Sequence, residues 1–83
     1  MNKVLIKLYV PLIDKKYDIW LPINKKICNV TKLLVQVVNS LTKGYYTSTN
    51  VPTLYDKETA EPYDMNKTVK ESNIVNGTEL ILI

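Results

Sequence analysis

Apolar and polar residues alternate along the first 22 positions of the chain, in two separate runs. The first run places apolar side chains at every second position: Val4, Ile6, Leu8 and Val10. The second run does the same with Tyr17, Ile19 and Leu21. A period of two is that of a β-strand with one face in the core. Since only a short turn separates the two runs, we expect an antiparallel hairpin.

The apolar period changes after Pro22. The next apolar residues recur at steps of three and four: Ile27, Val30, Leu33, Leu34, Val37, Val38 and Leu41. This spacing predicts an amphipathic α-helix with these side chains on its core face. Asn24 is the expected N-cap, and Lys43 with Gly44 is the expected C-terminal stop.

The second half of the chain predicts shorter elements. Residues 45–51 are polar and indicate a crossover loop, residues 53–56 a short strand, and residues 61–64 a very short edge strand, since Pro62 cannot donate a ladder hydrogen bond. A helical turn over 68–74 and an Asn-Gly bend precede the final strand, 80–83. We therefore expect one α+β domain over residues 1–83. Its fold is a β-grasp (ubiquitin-like): a mixed sheet of four to five strands, the first and last adjacent and parallel, with one main helix packed across it.

The charged residues argue against a nucleic-acid partner. The net charge is +3, but all eleven basic residues are lysines and they are spread along the chain. Arginine makes the bidentate contacts to phosphate and guanine that lysine cannot reproduce. A solvated surface is the simpler explanation of these lysines.

The chain also lacks the residues that most enzymes use. It contains no histidine, a single cysteine (Cys28), and two isolated glycines. Asp56 with Glu58, or Glu61 with Asp64, can form at most a weak metal pair, and turn chemistry explains these acids equally well. We expect no catalytic residues, no cofactor and no metal. The sequence ends in the predicted strand without a glycine tail, so we also expect no conjugation activity.

Two stretches resemble a known family. Tyr17-Asp-Ile-Trp-Leu-Pro22 before the helix, and Ile74-Val-Asn-Gly-Thr-Glu-Leu-Ile-Leu82 at the end, look like the YukD/EsaB family. These are small ubiquitin-like proteins associated with the type VII secretion systems of Gram-positive bacteria. The resemblance implies a non-enzymatic cytoplasmic adaptor whose partners are membrane components or the ATPase of the secretion machine. The alternative is a generic β-grasp interaction domain that belongs to a larger membrane or signalling protein.

The expected binding surface is the sheet face that points away from the helix. The two alternations leave five apolar residues there, which we expect to form a patch edged by Lys3 and Lys7: Leu5, Tyr9, Trp20, Ile81 and Ile83. The opposing interpretation is that a loop covers them or that Trp20 belongs to the core. The patch and the final strand are also candidate surfaces for a homodimer. No apolar run is long enough for membrane insertion, so we expect a cytoplasmic protein that can sit at the inner face of the cell membrane.

Overall fold

The alternating and helical periods of the sequence form five regular elements. The computed structural model describes residues 2–44, 46 and 52–83. The strands are β1 (Lys3–Val10), β2 (Lys15–Pro22), β3 (Leu54–Asp56) and β4 (Glu79–Leu82), and the helix is α1 (Ile27–Leu41). Short 3₁₀ turns occupy Pro11–Ile13 and Lys70–Ser72.

The four strands form one mixed sheet in the order β2-β1-β4-β3. β1 pairs antiparallel with β2, as the short turn between them predicts, and parallel with β4. β3 pairs antiparallel with β4. With α1 packed across one face, this is the predicted β-grasp arrangement. The pairing of the first and last strands closes the fold, because it joins the two ends of the described chain through the middle of the sheet.

The core lies between α1 and the sheet, and the residue periods predict most of it. Ile6, Leu8 and Val10 of β1 are fully buried, and Leu80 and Leu82 of β4 meet them from the neighbouring strand. The helix and the connecting segments supply the remaining buried apolar residues: Leu21, Ile27, Val30, Leu34, Val38, Tyr46, Leu54, Val69 and Ile74. This cluster covers the inner face of the sheet, and the opposite face carries no helix among the described residues.

The start of α1 differs from the prediction. Lys26, not Asn24, is the N-cap, and its side chain makes no capping hydrogen bond. Instead the Ile27 N–H donates to the carbonyl of Lys67 at 2.8 Å, and the Cys28 N–H donates to the carbonyl of Met65 at 3.1 Å. These distant carbonyls satisfy N–H groups that a helix start leaves without an intrahelical partner, so no side-chain cap is needed.

The end of α1 follows the prediction. Lys43 and Gly44 both have positive φ, 55° and 84°. The Gly44 N–H donates to the carbonyl of Asn39 at 2.8 Å, which is the bond of a Schellman motif. The left-handed backbone turns the chain away from the helix axis, and the helix stops there.

The core face of α1 is rotated from the predicted one. Leu33, Val37 and Leu41 are exposed, with 46%, 38% and 56% of their surface accessible. Thr31 is buried in their place, and its hydroxyl donates to the Ile27 carbonyl at 2.7 Å. The helix therefore presents an apolar flank that the sheet does not cover.

The segment after β3 forms less than the predicted strand. A single antiparallel bridge joins Tyr55 to Pro62, and the Tyr63 N–H donates to the Leu54 carbonyl at 3.0 Å. This segment covers the outer edge of β3. The predicted crossover, residues 45–51, lies outside the described residues except for Tyr46, which is buried. Within the described residues, no helix is both long and apolar enough to cross a bilayer.

Candidate protein-interaction surface

The sheet face opposite α1, here called the open face, carries all five residues of the predicted patch. In β1 and β4 these residues alternate with buried ones, so their side chains point away from the core. Trp20 is 51% exposed and Ile83 is 64% exposed, and the other three are half-buried. Trp20 is thus not a core residue. The binding role of the five stays a prediction.

Trp20 and Leu5 form the first apolar group of the open face. They lie opposite each other in the β1–β2 ladder. The bend before β4 fixes the position of Leu5, because the Leu5 N–H donates to Asn76 Oδ1 at 2.7 Å and its carbonyl accepts from the Gly77 N–H at 2.8 Å. Gly77 has φ of 88°, a conformation that favours glycine. The Asn-Gly pair therefore extends the parallel ladder and holds the backbone beside Trp20.

A second apolar group surrounds Ile81. Tyr9 lies opposite Ile81 on one side and Tyr55 on the other. Tyr55 was not among the five residues predicted for this face. Because Leu54 is buried and successive residues of a strand point to opposite faces, Tyr55 points to the open face. Ile83 continues this group beyond the end of β4.

Polar partners fix the orientation of the Tyr9 ring. Its hydroxyl donates to Asp14 Oδ1 at 2.9 Å, and the Lys16 ammonium lies 5.9 Å from the ring centroid. The hydrogen bond to Asp14 raises the pKa of the Tyr9 hydroxyl, and partial desolvation and the Asp14 charge act in the same direction. Tyr9 is therefore a neutral, oriented side chain at physiological pH.

A row of four charged residues separates the two apolar groups. Lys7 lies opposite Asp18 on one side and Glu79 on the other, and Glu79 Oε2 is 3.2 Å from the Lys57 ammonium. Lys7 was predicted to edge the patch, and this position is wrong: it lies in the middle. Leu5 and Tyr9 are about 13 Å apart along β1 at the usual rise per residue. The open face thus consists of two apolar groups with alternating charges between them.

Such a face can bind a protein whose own charges alternate in the opposite sense. Interfaces typically combine apolar anchors, often Trp or Tyr, with polar groups that set register and exclude wrong partners. Exposed ion pairs such as Lys57 with Glu79 contribute little to stability.

Hydrogen bonds within the turn after β3 account for the acidic residue Asp56 at its start. Asp56 Oδ1 accepts from the backbone N–H of Glu58 at 2.8 Å and of Thr59 at 3.4 Å, and Oδ2 accepts from the Tyr63 hydroxyl at 3.2 Å. Burial raises the pKa of Tyr63, and the Asp56 charge adds to the effect. Among the residues that the structure describes, no three His, Cys, Asp or Glu side chains are grouped to hold a metal ion.

The final strand has no free edge with which to pair with a second copy. β4 lies between β1 and β3 and pairs with both. The prediction that this strand pairs with a copy of itself is therefore wrong, because both of its edges are occupied inside the sheet.

Comparisons with known proteins agree with this geometry. No protein-family model matches the chain, and no curated protein matches it by sequence. Among solved structures, the EccD5 ubiquitin-like domain from Mycobacterium xenopi superposes with a TM-score of 0.84 at 16% identity, covering 100% of this chain and 94% of that one. The ubiquitin-like domain of the Mycobacterium tuberculosis type VII secretion protein ECCD1 gives 0.79 at 14% identity, covering 100% and 99%. The fold is ubiquitin-like.

A third match places this fold inside a larger protein. A chain of the MycP5-free ESX-5 inner membrane complex superposes with a TM-score of 0.83 at 17% identity. The match covers 100% of this chain but only 21% of that one. At these identities the similarity establishes the ubiquitin-like fold alone.

Proposed function

We propose that this chain is a non-enzymatic interaction domain associated with a type VII secretion system. The observation that carries the proposal is the superposition of the whole chain on ubiquitin-like domains of two EccD proteins of such systems. The open face supports a role in protein contacts, since it combines an exposed Trp20 with two apolar groups and a charged row. The YukD/EsaB-like residues of β2 and β4 favour the same class of machine.

The finer proposal concerns partner and location. We assign the domain to the cytoplasmic side, at the inner face of the cell membrane, where it contacts membrane components or the ATPase of the secretion machine. Support comes from the neighbour in an inner membrane complex. The role is that of an adaptor, exercised by binding and not by conjugation.

A second candidate function is a β-grasp interaction domain of a larger membrane or signalling protein. One observation favours it: the matched chain of the inner membrane complex is about five times longer than the region that this chain covers. The two candidates share the fold and the open face, and they differ in the identity of the partner.

The experiment that separates them is affinity capture from the native cell after mild crosslinking. A tagged full-length protein is expected to recover membrane components or the ATPase of a type VII system. Recovery of an unrelated signalling complex would favour the second candidate. Recovery of nucleic acid that washes off in salt would contradict both, since phosphate binding weakens steeply with ionic strength.

A further inference from the structure

The two edges of the sheet differ in whether their backbone is covered. The outer edge of β3 is covered by the segment that follows it, through the Tyr55–Pro62 bridge and the hydrogen bonds to Asp56 and Leu54. β2 is the other edge, and within the described residues its only ladder partner is β1. An uncovered edge is a template for the strand of another chain.

The hydrogen bonds of β1 identify which β2 groups point outward. The N–H groups of Leu5 and Lys7 donate toward the β4 side, to Asn76 Oδ1 and the Thr78 carbonyl. The intervening residues of β1 therefore bond to β2, and the register pairs Ile6 with Ile19 and Leu8 with Tyr17. The backbone N–H and carbonyl groups of three β2 residues face away from the sheet: Lys16, Asp18 and Trp20.

An apolar strip runs beside this free edge. Tyr17 and Ile19 point toward the core but are only half-buried. The opposite flank of α1 faces the segment after β3, because the Thr31 hydroxyl and the Cys28 N–H both contact Met65. Since that segment covers the β3 edge, we infer that the other flank of α1 lies on the β2 side. This flank carries three exposed apolar residues, which supply the rest of the strip: Leu33, Val37 and Leu41.

The charge of residues 1–44 indicates which kind of molecule can bind at the β2 edge. Residues 1–44, which form β1, β2 and α1, contain eight lysines and two aspartates, a net charge of +6. Residues 45–83 contain three lysines and six acidic residues, a net charge of −3, and the two halves sum to the +3 of the chain. Both strands at this side of the sheet, β2 and its neighbour β1, belong to the basic half, and the edge strand itself carries Lys15 and Lys16. Two basic edges repel each other, so a second copy is disfavoured there.

We propose that the β2 edge binds an extended, acidic and apolar segment of another protein by strand addition. Its backbone pairs with Lys16, Asp18 and Trp20, and alternate apolar side chains lie on the strip between β2 and α1. Main-chain hydrogen bonds give such a complex its affinity and the side-chain strip its specificity. This surface shares Trp20 with the open face, but it uses the Trp20 backbone and not the side chain. The inference holds whichever protein supplies the segment.

The test begins with a displayed library of random twelve-residue peptides selected on the full chain. The expected enriched sequences alternate β-branched residues and are flanked by Asp or Glu. Added to the ¹⁵N-labelled protein, a synthetic copy of the enriched peptide should shift the amides of Lys16, Asp18 and Trp20 and slow their exchange with solvent. Its dissociation constant should rise at least fivefold in 0.5 M salt, since exposed charges are screened.

Two variants and one control make the assignment specific. Asp18→Pro removes an outward N–H without removing a β1–β2 hydrogen bond, so this variant should fold. It should weaken binding of the peptide at least tenfold. Leu33→Gln shortens the apolar strip at an exposed position and should weaken binding of the peptide at least fivefold. Ile83→Ala, on the open face, should leave the affinity within twofold.

Four outcomes would overturn the inference. They are a library with no enriched peptide, enriched peptides that shift the open face instead, helical peptides that bind Asp18→Pro unchanged, and protection of the β2 amides that rises with protein concentration alone. The last would identify a second copy as the occupant. None of them bears on the capture experiment above, which tests the proposed function independently.

Discussion

At the scale of single residues, Asn76 links the last turn to the first strand. Its side chain accepts the Leu5 N–H at 2.7 Å across 71 positions of sequence. Asn76→Ala should lower the free energy of unfolding by about 1 kcal/mol, the usual worth of one hydrogen bond. Urea unfolding measures this, with Asn66→Ala, an exposed asparagine in another turn, as the control. Equal stability of the two variants would show that the Leu5 bond contributes nothing.

A second prediction at this scale concerns Glu71. Its carboxylate accepts the Thr68 N–H at 3.0 Å, while its own N–H donates to the Thr68 hydroxyl at 3.1 Å. The backbone bond from Thr68, followed by the side-chain bond, lowers the pKa of Glu71. Because the folded pKa is depressed, this stabilisation is present above the ordinary value of 4.5 and is lost as the pH falls through the folded pKa.

The carboxyl carbon of Glu71 should therefore titrate with a midpoint below 4.5 in NMR spectra. Glu71→Gln should show a smaller loss of stability than the wild type between pH 6 and pH 3. A midpoint at or above 4.5 would mean that the Thr68–Glu71 pair does not form in solution.

The N-cap of α1 was predicted wrongly because backbone groups distant in sequence accept the hydrogen bonds of its first N–H groups. Asn24 precedes the helix and is a good capping residue by type, but the carbonyls of Met65 and Lys67 take that role. The local sequence around a helix start does not indicate that a segment 40 residues away will accept its hydrogen bonds. Gly44 and Gly77, by contrast, act through their own backbone conformation, and their roles were predictable from the sequence.

At the scale of the element, α1 distinguishes two neighbouring leucines. Leu34 is 1% exposed in the core, and Leu33 is 46% exposed on the free flank. Leu34→Ala should cost about 2–5 kcal/mol through lost burial and a cavity, whereas Leu33→Ala should cost less than about 1 kcal/mol. Urea unfolding of the two variants is a matched comparison. Similar losses would indicate that the helix is rotated relative to the arrangement described above.

The period of α1 predicted the helix correctly but not its orientation. At 3.6 residues per turn, its seven apolar residues span an arc of about 140°. The buried residues occupy a narrower arc, shifted to include Thr31. Threonine can enter the core because its hydroxyl bonds within the helix, at the Ile27 carbonyl. Which part of a wide apolar arc meets the sheet depends on the packing partner, and periodicity alone contains no information about it.

At the scale of the whole molecule, the strand order determines how apolar and charged residues are distributed over the surface. The sequence predicted the β-grasp and the five open-face residues, because strand alternation fixes which side chains point outward. It did not predict that Lys7 splits the apolar surface, since this depends on the registers of two ladders. The lysines are spread along the sequence without a cluster. Eight of them belong to residues 1–44, the half of the chain that contains the uncovered edge strand β2.

The charge asymmetry has a consequence for association rates. A partner that meets the basic half should bind faster at low ionic strength, because attraction over a Debye length steers the encounter. Lys16→Glu, on the free β2 edge, should lower the association rate of the enriched acidic peptide and flatten its salt dependence. Stopped-flow measurements at several salt concentrations test this, with Lys67→Glu in the acidic half as the control. Equal effects of both variants would contradict steering by the β2 edge.

The central claim is that the open face binds a component of a secretion machine. Quantitative crosslinked capture with a matched pair of variants tests this claim most directly. Trp20→Ala removes the exposed anchor of the open face, and Leu12→Ala removes an exposed apolar residue, 72% accessible, in the turn between β1 and β2. Both should unfold cooperatively. We predict that Trp20→Ala weakens binding to the recovered secretion component by about 1 kcal/mol or more, the effect that marks an interface residue, and that Leu12→Ala leaves it unchanged. Undiminished recovery with Trp20→Ala, or recovery of no secretion component by the wild type, would contradict the account.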